Sequence, residues 1–353
     1  MRPGIGASRK GPAPESWRDG LPSLGLGAAC IGNLYEPVTE TVAIDTIAAA
    51  LEAGVRYIDT APYYGFGLSE SRIGTALDEF DPAGTVIIST KVGRRLEPLT
   101  HGDVASIRHG FAAAAPFEPI FDYSYDGVLR SFEQSCQRLR RDRIDILLAH
   151  DLGRDTHGAA HEERYREFMD GGYRAMRELR ESGAVSAIGL GVNECEICEQ
   201  ALADAEFDVF LLAGRYTLLD QTALASLLPI CATRNIPIII GGPYNSGILA
   251  NGTRAGGPLH FNYAPAPYWV IERVRRLEAI CNWFGVPLAA AALQFPLAHP
   301  QVACVIPGMG RREHIDTTVA LAKRAIPAGF WRALREECLL LPEAPTPDNG
   351  VST

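Results

Sequence analysis

No run of roughly 18 uninterrupted apolar residues occurs in the 353-residue chain, so a membrane-spanning helix is not predicted. The longest apolar candidate, 287–297 (PLAAAALQFPL), is too short and is interrupted by Pro296. The first twenty residues, MRPGIGASRKGPAPESWRDG, lack the apolar centre of a signal peptide, and a cytoplasmic location is therefore expected. Eight cysteines at irregular spacings form no disulfide framework, and reduced thiols are expected in that compartment. Cys195 and Cys198 make a CxxC, but no second pair or nearby histidine pair completes a metal site, so none is expected. A basic surplus is also missing. Lys+Arg 33 against Asp+Glu 42 leaves a net charge of −9, which argues against nucleic acid or an anionic membrane as partner. GxxxxGK[ST], HExxH and GxSxG are absent, which removes the common NTPase, zincin and α/β-hydrolase routes. The segment Gly25-Leu26-Gly27-Ala28-Ala29-Cys30 begins like GxGxxG but lacks its last small residue and opens no helix, which speaks against a Rossmann fold.

What is present is an ordinary globular composition, 47% hydrophobic and 21% charged, enough for a large core. Short β-branched runs alternate with amphipathic stretches: strands are predicted at 26–31, 56–59, 86–91, 144–149, 185–189, 209–212, 236–240 and 302–306. Helices are predicted after each, near 39–53, 69–77, 124–138, 167–181, 197–205, 221–232, 270–284 and 312–323. Eight strand–helix units with right-handed crossovers close naturally into a (β/α)8 barrel, here over 21–340, with tails at 1–20 and 341–353. Three long connections, 92–123, 151–164 and 241–268, all follow strands and so belong to the C-terminal face, where barrel active sites are built.

Four polar residues fall at the ends of three successive strands: Asp59 and Tyr64 in DTAPYYG, Lys91 in IISTKVG and His150 in DILLAHD. Neighbouring barrel strands bring such residues to one spot. An ammonium beside a tyrosine favours the phenolate, so Lys91 is expected to lower the pKa of Tyr64, with Asp59 holding the lysine. Tyr64 then acts as general acid for a carbonyl or general base for an alcohol, His150 orients the substrate oxygen, and a nicotinamide cofactor is needed for the hydride.

The segments GVRYIDTAPYYG, IISTKVG, RIDILLAHD and SGAVSAIGLGVNE resemble the signature of the aldo-keto reductase superfamily, and the resemblance runs from about Leu24 to Lys323. It implies the tetrad Asp59, Tyr64, Lys91 and His150 on a metal-free (β/α)8 barrel. FDYSYDGVLRSFEQS, FLLAGRYTLLDQ, GGPYNSGILA, NYAPAP and AALQFPLAHP further resemble the branch that oxidises the C1 hydroxyl of L-fucose, L-galactose and related D-threo-aldoses to the lactone. A pyridoxal 4-dehydrogenase of the same superfamily resembles that branch and is the rival for substrate; a non-catalytic NAD(P)-sensing module is the rival of another class. The implied partners are a small sugar or aldehyde and no macromolecule other than a second copy in a homodimer.

The resemblance places cofactor contacts at Asn193, at Gly241, Pro243, Tyr244, Asn245, Ser246, Gly247 and Leu249 of the phosphate loop, and at Gly308, Arg311, Arg312, His314 and Thr318 around the last helix start. Three positions depart from the family: Gly191 stands for a serine, Ala213 for a glutamine and Gly241 for the aromatic residue that stacks on the nicotinamide. Gly308-Met309 replaces a Lys-Ser pair, which tilts the reading to NAD, while Arg311 and Arg312 keep NADP open. Tyr63, Asp151, Tyr216, Tyr244 and Asn245 are candidates for sugar hydroxyls.

Overall fold

The computed structural model describes residues 17–100, 106–254 and 256–347. Its centre is a sheet of eight parallel strands: β1 (Leu26–Gly27), β2 (Tyr57–Asp59), β3 (Ile87–Val92), β4 (Ile144–His150), β5 (Val185–Val192), β6 (Val209–Ala213), β7 (Ile238–Gly241) and β8 (Val302–Ile306), neighbours in that order. The ring closes through bridges from Leu24 to Val305 and from Gly27 to Gly308, with Gly25 N donating to Val305 O at 2.9 Å. The strands are buried on both faces, as parallel strands under a helical layer must be.

Eight helices cover the barrel: α1 (Glu40–Glu52), α2 (Leu68–Phe80), α3 (Tyr125–Leu139), α4 (Tyr173–Glu181), α5 (Cys195–Asp204), α6 (Leu227–Arg234), α7 (Tyr268–Phe284) and α8 (Arg312–Ala322). Local chemistry sets their starts. Thr39 Oγ1 accepts from Val42 N at 3.3 Å and Ser124 Oγ from Gly127 N at 3.1 Å, each quenching an orphan donor of the first turn. Several boundaries differ from the sequence expectation: β5 runs on to Val192, and α6 begins at Leu227, after a 3-10 turn at Thr222–Leu224. The first strand is only two residues long, because Cys30–Gly32 turns back as a short 3-10 segment over the barrel mouth. The α4 segment is preceded by His161–Glu167 and a π-helical turn at Phe168–Gly172, so part of the expected loop is helical.

Inside the ring, Tyr57, Ile87, Ile146, Leu148, Val209, Leu211 and Ile239 form an inner core, with Trp17 and Leu21 packed against it. A larger core fills the space between strands and helices. Of the two expected tails, 1–16 and 348–353 lie outside the described residues; within 341–347, Ala344 and Thr346 are buried and Arg335 Nη2 donates to Ala344 O at 2.8 Å. Two hairpins stand on the C-terminal face: Arg94–Pro98 with Phe117–Phe121 after β3, and His260–Phe261 with Ala264–Pro265 after β7. Among the described residues no single helix is long and apolar enough to cross a membrane.

Candidate active site

Strand register explains why the four expected residues meet. Asp59 pairs with Ser89, Lys91 with Leu148, and His150 with Gly191. Ser89 and Lys91 are two apart, as are Leu148 and His150, so each pair shares a face of its strand. Leu148 belongs to the inner core, which puts His150 inward too. The three side chains therefore climb the inside of the barrel by two residues per strand. Tyr64 comes from the loop after β2, where its own N–H donates to Ala61 O at 3.1 Å. The 3-10 turn lies so close that a Cβ at Gly32 would sit 2.6 Å from the Tyr64 carbonyl carbon, so only glycine fits there.

Lys91 Nζ lies 2.7 Å from Asp59 Oδ2, donates to Thr60 O at 2.9 Å and reaches Tyr64 Oη at 3.1 Å. Ser89 Oγ donates to the other Asp59 oxygen at 2.7 Å and meets Tyr57 Oη at 2.8 Å. Burial pushes the Asp59 carboxyl up, while the Lys91 charge and hydrogen bonds pull it back. Tyr64 overturns the expected acidity. Burial holds its hydroxyl well above the ordinary tyrosine range, the Asp59 and Asp151 charges add to that, and Arg94 opposes it. The Lys91 ammonium is paired with Asp59, and desolvation prevails at the tyrosine. His150 is driven well below the ordinary histidine range by burial and by the Lys91 and Arg94 charges, so its ring is neutral at neutral pH. Its Nδ1 is buried without a hydrogen-bond partner among the described residues. The arrangement is a protonated tyrosine and a neutral imidazole, 5.9 Å between ring centroids, on one wall of a cavity of about 430 Å³. Two larger depressions, of about 690 and 530 Å³, hold none of the four residues.

Beside the tetrad, that cavity is walled by Tyr63, Asp151 and Asn193, all expected, and by Arg94, Phe111 and Tyr263, which sequence reasoning missed. The missed residues had one legible signal: all three lie in long connections after strands. Tyr216 is a correction. It is fully buried, its ring packs on Phe295 and His299 at 5.2 and 5.6 Å, and it belongs to the outer core. Asn245 is spent inside the chain, accepting from Thr217 Oγ1 at 2.6 Å and donating to Gly214 O at 3.3 Å. The N–H groups of Asn245, Gly247 and Leu249 close the turn onto Gly242 and Tyr244 carbonyls, and the Leu249 side chain is core. Ser246 Oγ accepts from Tyr263 N at 2.9 Å, which ties this loop to the second hairpin.

At the other end, the Tyr244 hydroxyl faces Thr318, which brings the loop with Pro243 beside α8. Gly310 N donates to His314 Nδ1 at 3.4 Å beside Gly308. Arg312 is a second correction: its guanidinium is bound to both oxygens of Asp45 and to Glu52 on α1, and so is committed away from a phosphate. Arg311 is exposed and 3.9 Å from Glu36.

A family model described as the Aldo/keto reductase family matches residues 23–337. The chain belongs to the aldo/keto reductase family. It is 43% identical over 326 residues to a pyridoxal 4-dehydrogenase of Microbacterium luteolum, covering 90% of this chain and 94% of that protein. It is 36% identical over 330 residues to a D-threo-aldose 1-dehydrogenase of Pseudomonas sp, covering 93% and 96%. A holo-form aldo-keto reductase from Bacillus halodurans shares the fold with a TM-score of 0.69 at 22% identity, over 93% of this chain and 95% of that one. This aldo/keto reductase is thus a nicotinamide-dependent oxidoreductase on a (β/α)8 barrel.

The residues present fit that cofactor at its reactive end. Gly191 and Ala213 give the cavity a floor with no side chain larger than a methyl between β5 and β6, and Asn193 stands at its edge with Nδ2 3.4 Å from Asp151 Oδ1. A Cβ at Gly191 would lie 3.1 Å from Lys91 Cε. Restoring the family serine by Gly191→Ser is therefore expected to press on a lysine that three hydrogen bonds hold in place, lowering kcat about tenfold. Unchanged turnover with tighter cofactor binding would show that the glycine is a simple loss.

Proposed function

We propose that this aldo/keto reductase oxidises the ring hydroxyl of a cyclic hemiacetal to a lactone, and that the hemiacetal is an aldose of the L-fucose, L-galactose or D-arabinose type. The observation that carries the reading is the buried Asp59–Lys91–Tyr64 chain facing His150 across one cavity wall. A bound nicotinamide would supply the hydride acceptor, with Asn193 at the edge of the cavity to meet it. In the oxidative direction Tyr64 must first lose its own proton to solvent; the phenolate Oη then takes the hydroxyl proton, and in the reverse direction the protonated Tyr64 gives it back. Neutral His150 donates to the same oxygen and fixes its direction. Lys91, held by Asp59 and the Thr60 carbonyl, steadies the phenolate that appears during the cycle. Asn193 would meet the carboxamide, and the Pro243–Ser246 turn with Thr318 and the Gly308–Gly310 segment would hold the phosphates and adenosine.

Pyridoxal is the second reading, because it too closes into a hemiacetal, and the rings of Tyr63, Phe111 and Tyr263 suit a flat heteroaromatic. The 43% identical relative bears that name. NAD is the proposed dinucleotide: Arg312 is paired with Asp45 and Glu52, and Gly308-Met309 stands where a Lys-Ser pair would hold a 2′-phosphate. That predicts at least about a tenfold preference in kcat/KM for NAD+ over NADP+. A panel of L-fucose, L-galactose, D-arabinose and pyridoxal with both dinucleotides tests substrate and cofactor together. Turnover of pyridoxal alone would replace the aldose reading, and tight NADH binding with no turnover of any substrate would point to a sensor.

A further inference from the structure

Just behind the tetrad, Asp151 is held at considerable cost. It is a part-buried carboxylate, with 14% of its side chain exposed, and its backbone sits at φ 47°, a left-handed conformation that costs a non-glycine residue of the order of 1 kcal/mol. Several contacts keep it there. Asp151 N donates to Gly191 O at 3.0 Å, and Tyr123 Oη bonds the carbonyls of His150 and Asp151 at 2.6 and 3.3 Å. Arg94 Nη2 lies 2.6 Å from Asp151 Oδ2. The Arg94 guanidinium is itself sandwiched, 4.0 Å from the Tyr63 ring centroid and 4.7 Å from that of Phe121, which fixes its plane. The pair stands outside the proton-transfer chain itself: among the described residues no hydrogen bond joins Asp151 or Arg94 to Asp59, Tyr64 or Lys91.

The carboxylate does have a position that matters. Asp151 Oδ2 is 3.6 Å from His150 Nε2, too long for a good hydrogen bond, and both atoms belong to residues that line the cavity. His150 Nε2 addresses the reacting oxygen. An acceptor 3.6 Å from it addresses a second oxygen one hydrogen-bond length from the first, which is the spacing of hydroxyls on neighbouring carbons.

We infer that Asp151 reads a hydroxyl adjacent to the reacting C–O group of the substrate, with Arg94 as its positioning residue. The inference rests on the hemiacetal reading above and narrows it: the substrate is a 2-hydroxy hemiacetal, or for a heteroaromatic ring one with a hydroxyl ortho to the reacting carbon. A 2-deoxy sugar leaves the carboxylate facing an apolar carbon, and a buried polar group without its partner is what makes such sites selective.

The test compares L-fucose with 2-deoxy-L-fucose, and pyridoxal with its 3-O-methyl ether, in wild type, Asp151→Asn, Arg94→Lys and Arg94→Met. Wild type is expected to lose at least about a hundredfold in kcat/KM on the analogue lacking the free hydroxyl. Asp151→Asn, which suits a left-handed backbone, is expected to bring that ratio to within about tenfold, through a raised KM for the parent. Arg94→Met should narrow the ratio likewise and Arg94→Lys should restore part of it, with NADH binding by fluorescence unchanged throughout. A ratio near one in wild type, or a ratio unmoved in Asp151→Asn, overturns the inference and leaves the hemiacetal reading standing. Wild-type inactivity on every hemiacetal overturns both.

Discussion

Replacing Tyr64 by phenylalanine is expected to lower turnover by about 10²–10⁴-fold while NADH binds as before. The ring stays, because its contacts with Phe111 and His150, at 6.3 and 5.9 Å between centroids, do not involve the hydroxyl. What is lost is the one group that sits both 3.1 Å from Lys91 Nζ and on the cavity wall. The same hydroxyl sets the pH dependence. Because Tyr64 is pushed well above the ordinary tyrosine range, its protonated form prevails at neutral pH. Carbonyl reduction, which needs that form, should be flat through neutrality and fall in alkali. Alcohol oxidation needs the phenolate and should rise with pH. Initial rates in both directions between pH 6 and 10, with NADH affinity measured by fluorescence, check this; a phenylalanine variant that keeps full activity would sink the mechanism.

Lys91→Met should have the second large effect, on stability as well as on activity. Asp59 and Lys91 are 3% and 2% exposed at the side chain, so the pair is sealed from water. Removing the cation strands a buried carboxylate, at a cost of about 3–5 kcal/mol. The partner substitution tells structure from chemistry. In the double variant Asp59→Asn with Lys91→Met, the stranded charge is gone and stability should return most of the way, while activity should not. Urea unfolding of the three proteins, read beside kcat, is the measurement. A single variant as stable as wild type would show that water reaches the pair.

Much of the fold and the heart of the site were legible because they depend on local pattern. Each of the eight strands declared itself as a short apolar run between helical stretches, and the observed strands overlap all eight expected segments. The tetrad was legible for a related reason: in a parallel barrel, a polar residue at the end of a buried strand goes to the C-terminal face. Errors collected where a side chain's fate depends on a distant partner. Arg312 at a helix start looks like a phosphate ligand until Asp45 and Glu52, some 260 positions away in sequence, are seen to hold it. Tyr216 follows a strand as a substrate contact would, but the Gly214 turn sends its ring among Phe295 and His299.

The sequence by itself determined the eightfold barrel and the acid–base set, since periodicity and strand-end position are properties of the chain read a few residues at a time. Only the tertiary structure decided that Tyr64 is held protonated, that Arg312 is paired with Asp45 and Glu52 on α1, and that Arg94 and Asp151 line the cavity beside His150. Those outcomes turn on desolvation and on charge pairs between segments far apart in the chain. Burial and Coulomb energy are set by what surrounds a group in space, and strand periodicity carries no record of that.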